Sequence, residues 1–128
     1  MSNSAIDAAF LQGCEQCELR LQRCTACGST QFYPRVICGH CGSDELEWIV
    51  ANGGGRVASF TVARSVIDPK FKDLLPYVVA LIDLEEGPRM MSVIVDAETS
   101  DVSVGDSVTL DFVHWGDDAQ LRPVFRLA

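Results

Sequence analysis

Two short hooks of the same form constrain this chain more than anything else in it. Cys24-Thr25-Ala26-Cys27-Gly28 and Cys38-Gly39-His40-Cys41-Gly42 each read C-x2-C-G, with ten residues between Cys27 and Cys38. Facing hooks of this kind gather four thiolates into the tetrahedral shell that Zn²⁺ takes in structural sites. The glycine after each pair lets the backbone turn so that amide N–H groups point at the sulfurs, which offsets the gathered negative charge. Such a shell leaves no coordination position for water or substrate. Cys24, Cys27, Cys38 and Cys41 are therefore expected to hold a fold rather than carry a reaction, with zinc worth on the order of 10 kcal/mol to the segment. Iron, in a rubredoxin-like electron carrier, is the competing ion, because a soft thiolate site accepts either. Zinc is preferred, since no redox-partner motif follows.

All six cysteines lie between positions 14 and 41. A disulfide framework would spread them along the chain and come with a secretory signal, and the N-terminal MSNSAIDAAFLQG has neither a basic n-region nor a long apolar run. No stretch approaches the roughly 18 apolar residues of a membrane span. The expectation is a reducing, cytoplasmic protein whose cysteines bind metal. The net charge of −8 weighs against a phosphate-tracking surface, although a single-stranded nucleic-acid-binding module stays an alternative reading. Cys14-Glu15-Gln16-Cys17 is a third C-x2-C without a partner pair and reads as two reduced thiols, against a redox pair or half of a shared site. His40 reads as a solvent-facing spacer, and His114 as a barrel-rim or core histidine. Neither has a Ser, Asp or Glu in a catalytic arrangement, so no catalytic residue is assigned.

Along the chain, residues 2–12 carry a short helical pattern with Ser4 as cap and Gly13 as stop. Leu19 and Leu21 alternate with Glu18, Arg20 and Gln22, as in a short strand entering the first hook. Phe32, Tyr33, Val36 and Ile37 lie between the hooks and are expected to cover the metal. Arg35 there caps a turn or binds an anion. Asn52-Gly53-Gly54-Gly55 reads as a joint, dividing a ribbon unit, 1–52, from a second unit, 53–128. The second unit alternates as strands do: Arg56–Arg64, with Ala58, Phe60 and Val62 on one face, then Tyr77–Leu84, Arg89–Asp96, Ser107–Trp115 and Gln120–Leu127. The fold class is mainly β: a short helix and a four-cysteine zinc ribbon followed by a five-stranded OB-fold barrel. The long connection Ser65–Pro76 is of a size that often has a function. Its Lys70 and Lys72 are candidates for meeting phosphate groups of a ligand, against ordinary solvated loop lysines.

Leu21-Gln22-Arg23-Cys24, Tyr33-Pro34-Arg35, Leu46-Glu47-Trp48, Pro76–Leu81, Glu85-Glu86-Gly87-Pro88-Arg89, Val104-Gly105-Asp106 and Pro123-Val124-Phe125 stand in the order seen in the DUF35 family. From about Leu19 onward the chain resembles that family, which joins a rubredoxin-like zinc ribbon to an OB-fold. Cys14 and Cys17 depart from the family's pattern. The resemblance implies a non-catalytic accessory subunit of a thiolase-fold acyl-CoA enzyme (a thiolase, retro-aldolase or acyltransferase). It would work in a hetero-oligomer, stabilising its partner and shaping the acyl-CoA site. It also implies structural Zn²⁺, with a CoA thioester as a shared ligand whose phosphates Lys70 and Lys72 would meet.

Overall fold

Apolar side chains at every second position build a barrel at the C-terminal end of the chain. A computed structural model describes residues 4–65, 74–114 and 120–128. Helix α1 (Ser4–Glu15) is followed by β1 (Arg20–Cys24), β2 (Thr30–Gln31) and β3 (Leu46–Val50), which form a three-stranded sheet in the order β2-β1-β3. Strands β4 (Gly54–Ala63), β5 (Tyr77–Leu84), β6 (Arg89–Ile94), β7 (Ser107–His114) and β8 (Leu121–Leu127) close into a barrel in the order β4-β5-β6-β8-β7. Strands β6 and β8 run parallel and share the pair Ile94↔Phe125, while the other ladders are antiparallel. This is the expected mainly β class, with its short helix, ribbon and five-stranded barrel.

Strand β5 supplies the clearest alternation: Val78, Ala80, Ile82 and Leu84 are buried and the residues between them are half-buried. In β4 the pairing register shifts between Val57 and Ser59. A bulge adds one residue and so reverses which side chains face inward. Val57 before it is buried, and Phe60 after it packs against the same core. Ala58 sits at the bulge, and from there on Ala58, Phe60 and Val62 are half-buried while Ser59 and Thr61 between them are exposed.

The ribbon and the barrel share one core. Leu19 and Leu21, on the inner face at β1, are fully buried in a cluster with Val57, Val78, Ile82 and Phe125 of the barrel. Burying two leucines is worth about 3–6 kcal/mol, enough to hold the two parts together. Helix α1 packs back on this body. The Glu15 carboxylate accepts from the Leu121 N–H at 3.2 Å, and Phe10 meets Phe32 at 5.6 Å between ring centroids.

Glycine is where the sequence expectation and the fold part. Gly13 does not stop α1, which runs two residues further. A Cβ there would lie 2.8 Å from the Arg20 side chain, so glycine serves a close approach between helix and strand. Arg20 fills that space and donates to the Ala9 carbonyl at 3.0 Å. The helix ends instead in a Schellman turn: the Glu18 N–H bonds the Gly13 carbonyl and the Cys17 N–H that of Cys14, with Cys17 at φ 59°. Gly54 and Gly55 likewise belong to β4: Gly54 pairs with Thr109 of β7, and Gly55 with both Leu84 of β5 and Val108 of β7. A Cβ on Gly55 would lie 2.7 Å from Ile82 Cγ2 and 3.0 Å from the Asp83 carbonyl oxygen, where the barrel closes.

Candidate metal centre and its setting

Each hook is a tight turn of the same design. The Gly28 N–H bonds the Cys24 carbonyl at 2.8 Å and the Gly42 N–H bonds that of Cys38 at 2.9 Å. Both glycines are left-handed, at φ 81° and 80°, which an L side chain adopts only with strain. The Cys24 and Cys38 N–H groups reach forward to the Ser29 and Ser43 carbonyls at 2.8 and 2.7 Å. Thr25 N–H to Glu45 O at 2.8 Å anchors the first hook beside the start of β3.

These turns bring the four cysteines together. Their sulfurs all lie within 4.8 Å of one another, with Cys24 to Cys41 at 3.6 Å and Cys27 to Cys38 at 3.7 Å. A tetrahedron with Zn–S near 2.3 Å has edges of about 3.8 Å, so the donor set fits a tetrahedral ion. Cys24 and Cys38 are buried, while Cys27 and Cys41 are exposed. The Cys41 and His40 N–H groups, at 3.4 and 3.3 Å, hold the Cys38 thiol below its ordinary range. The Ser29 hydroxyl and N–H pull Cys27 down to about 6. The Ser43 N–H favours the Cys41 thiolate, but crowding by Cys24, burial and the other two sulfurs outweigh it and push Cys41 up to about 12. Four sulfurs this close cannot all carry charge without a cation among them.

The other sequence-selected residues fall away from this cluster. His40 is exposed and contributes its backbone N–H. Cys14 is fully buried, and burial pushes its thiol up, against the pull of Arg122; Cys17 is exposed at the helix cap. His114 is exposed at the end of β7. Lys70 and Lys72 lie outside the described residues. Of the residues between the hooks, Phe32 packs on Phe10, and the Tyr33 hydroxyl accepts from the Met91 N–H at 3.4 Å. With Met90, Met91 and Pro123 they line a largely apolar groove of about 390 Å³ between α1, the ribbon and the barrel.

Sequence reasoning missed a polar relay. Gln22 is buried at 4% exposure. Its Nε2 donates to the Arg35 carbonyl at 2.8 Å, and its Oε1 accepts from the Arg35 N–H and from Gln31 Nε2, both at 2.7 Å. Gln31 Oε1 accepts in turn from the Gly39 N–H at 2.9 Å, inside the second hook. Strand alternation placed Gln22 on the wet face. The signal available was a second amide, Gln31, in the strand that leaves the first hook. Arg35 therefore enters through its backbone.

The geometry can be set beside known proteins. Residues 11–47 match the family described as the ChsH2 rubredoxin-like zinc ribbon domain, and residues 48–113 match the ChsH2 C-terminal OB-fold domain. The chain belongs to the DUF35 family. A DUF35 domain-containing scaffold protein of Methanothermobacter thermautotrophicus is 41% identical over 91 residues, covering 70% of this chain and 68% of that one. A probable enoyl-CoA hydratase alpha subunit of Thermomonospora curvata is 36% identical over 122 residues. That alignment covers 95% of this chain and 37% of the relative, so the chain spans little more than a third of its length. Among solved structures, a chain of an Ltp2-ChsH2(DUF35) aldolase superposes with a TM-score of 0.83 at 35% identity, covering 94% of this chain and 93% of that one.

Proposed function

We propose that this chain is a non-catalytic accessory subunit of a thiolase-fold acyl-CoA enzyme, working in a cytoplasmic hetero-oligomer. The observation that carries this is the near-complete superposition on the DUF35 chain of an Ltp2-ChsH2(DUF35) aldolase. In this reading Cys24, Cys27, Cys38 and Cys41 bind structural Zn²⁺ and keep the ribbon unit, 1–52, in shape for docking. The barrel unit, 53–128, lies towards the substrate, and Lys70 and Lys72 meet the phosphates of a CoA thioester. The hydratase alpha subunits among the relatives favour a second reading, in which the catalytic partner is a hydratase chain.

The test is co-expression with the enzyme subunits encoded beside this chain, one candidate at a time. A stable complex with a thiolase-fold subunit whose turnover rises on binding is expected. A hydratase complex selects the second reading, and a lone chain that alters no candidate's activity ends both. Chelation is expected to dissociate the complex. Turnover lost while the complex stays intact would place the metal in the chemistry instead. The purified protein is expected to hold one colourless zinc, and a red, iron-containing protein would revive the electron-carrier alternative. Charge reversal at Lys70 and Lys72 is expected to weaken CoA-thioester affinity of the complex, and unchanged affinity removes that role.

A further inference from the structure

The outer strand of the ribbon carries groups that no other described part of the fold takes up. Strand β3 is an edge of the sheet. Two bonds, Thr25 N–H to Glu45 O and Ala51 N–H to Leu19 O, both 2.8 Å, set the phase of the β1–β3 ladder. Residues 45, 47, 49 and 51 turn their N–H and C=O groups to β1, so Trp48 and Val50 turn theirs outward. Among the described residues, no other strand, turn or side chain takes these outward groups.

The side chains at the same positions are apolar and exposed: Trp48 by 39% and Val50 by 55%. Ile49 between them packs into the core. A solvated edge strand ordinarily presents polar residues outward and is blunted by Lys, Pro or a bulge. Leu46–Val50 contains neither residue, and its pairing with β1 runs without a bulge. Beside this edge, Asp44, Glu45 and Glu47 are exposed and enter no ion pair among the described residues.

We propose that the free edge of β3 is a strand-addition site for a partner polypeptide. Outward N–H and C=O groups at alternate residues recur about every 6.6 Å, a spacing that an extended backbone matches. Trp48 and Val50 select apolar residues at alternate positions of the incoming strand, and the three carboxylates select flanking Lys or Arg. A second copy of this chain is disfavoured as occupant, since its edge would set the same carboxylates against each other on a body of net charge −8. The site deepens the accessory reading and rests on it for the existence of a partner subunit.

The probe is a phage-displayed library of random dodecapeptides selected on the zinc-loaded protein. Selected peptides are expected to alternate apolar and polar residues and to carry Lys or Arg. They are expected to bind Val50→Pro, which lacks the outward N–H, about ten-fold more weakly than wild type, the size of one lost hydrogen bond. Val50→Ala keeps that N–H and should lose less, so it separates the main-chain contribution from any disturbance by proline. In the bound protein the Trp48 and Val50 amides should exchange with solvent more slowly, while those of Glu47 and Ile49, already bonded to β1, stay as they were. Equal binding to both variants, protection elsewhere, or a library without edge binders overturns the proposal. So does protection that grows with protein concentration alone, which assigns the edge to a second copy. If peptides bind the edge but no enzyme subunit ever associates, the accessory reading falls and the edge site stands. A partner complex that forms unchanged with Val50→Pro has the opposite meaning.

Discussion

Replacing Gln22 by Met tests whether the ribbon is held by its polar relay as well as by metal. Methionine matches the glutamine in length and fills the same space, so no cavity is opened. It removes three hydrogen bonds: to the Arg35 carbonyl, from the Arg35 N–H and from Gln31 Nε2. Each is worth about 1 kcal/mol net, which gives about 3 kcal/mol if all three groups are stranded. Arg35 is exposed, and water can re-solvate part of its backbone, which lowers the expected loss to about 2 kcal/mol. The assay is urea unfolding followed by circular dichroism, with free zinc fixed in excess. Because Gln31 also holds the Gly39 N–H, the second hook loses an outer support, and zinc affinity by chelator competition should fall about ten-fold. Gln31→Ala should show part of the same loss, and the double variant less than the sum. A loss under about 0.5 kcal/mol, with unchanged zinc affinity, would refute the assignment of this relay as a support.

Three further outcomes follow from single residues. Cys17→Gly relieves a left-handed backbone at φ 59° and should raise stability by about 1 kcal/mol in the same unfolding assay. Zinc content should stay the same, because that thiol lies outside the four-sulfur cluster. Gly55→Ala should lower stability by about 1–3 kcal/mol through overpacking against Ile82 and the Asp83 carbonyl. Gly54→Ala should do less harm, because the three atoms nearest its Cβ all belong to the end of the Glu85 side chain, which can swing aside. Asp83 accepts from Arg89 at 2.7 Å, and that bond lowers its carboxyl below the ordinary value. Stability from a depressed carboxyl is complete above the unfolded value near 3.9 and fades as pH falls through the folded one. Unfolding measured against pH should therefore show wild type and Asp83→Asn converging at the acid end. A gap between them that stays constant with pH would contradict the pairing.

The hooks and four barrel strands, β5 to β8, could be read from residues alone, because each rests on a local rule. Cysteine spacing fixes a metal turn, and alternation fixes a strand. Readings failed where a residue type serves two physical ends. Glycine ends helices and frees joints, but it also admits close contact, and only the neighbours decide. Gly13 faces Arg20, and Gly55 faces Ile82. The bulge at Ala58 was hidden because one inserted residue leaves composition unchanged while reversing the face of all that follows. Gln22 was misplaced for a related cause. Its partner, Arg35, lies 13 positions away in the chain, as 35 − 22, beyond the reach of any periodic pattern. Cys24, Cys27, Cys38 and Cys41 come together as their spacing implied, whereas Lys70 and Lys72 lie outside the described residues.

The burial of Leu19 and Leu21 among barrel side chains has a bearing on how such a unit can be inherited. A gene fragment encoding the ribbon alone would leave both leucines in water, and one encoding the barrel alone would leave a gap beside Ile82 and Phe125. Fusion to another enzyme chain is then viable only when both pieces travel together. The hydratase alpha subunits fit that rule: segments making up 37% and 36% of their length align with 95% and 91% of this chain, across ribbon and barrel alike.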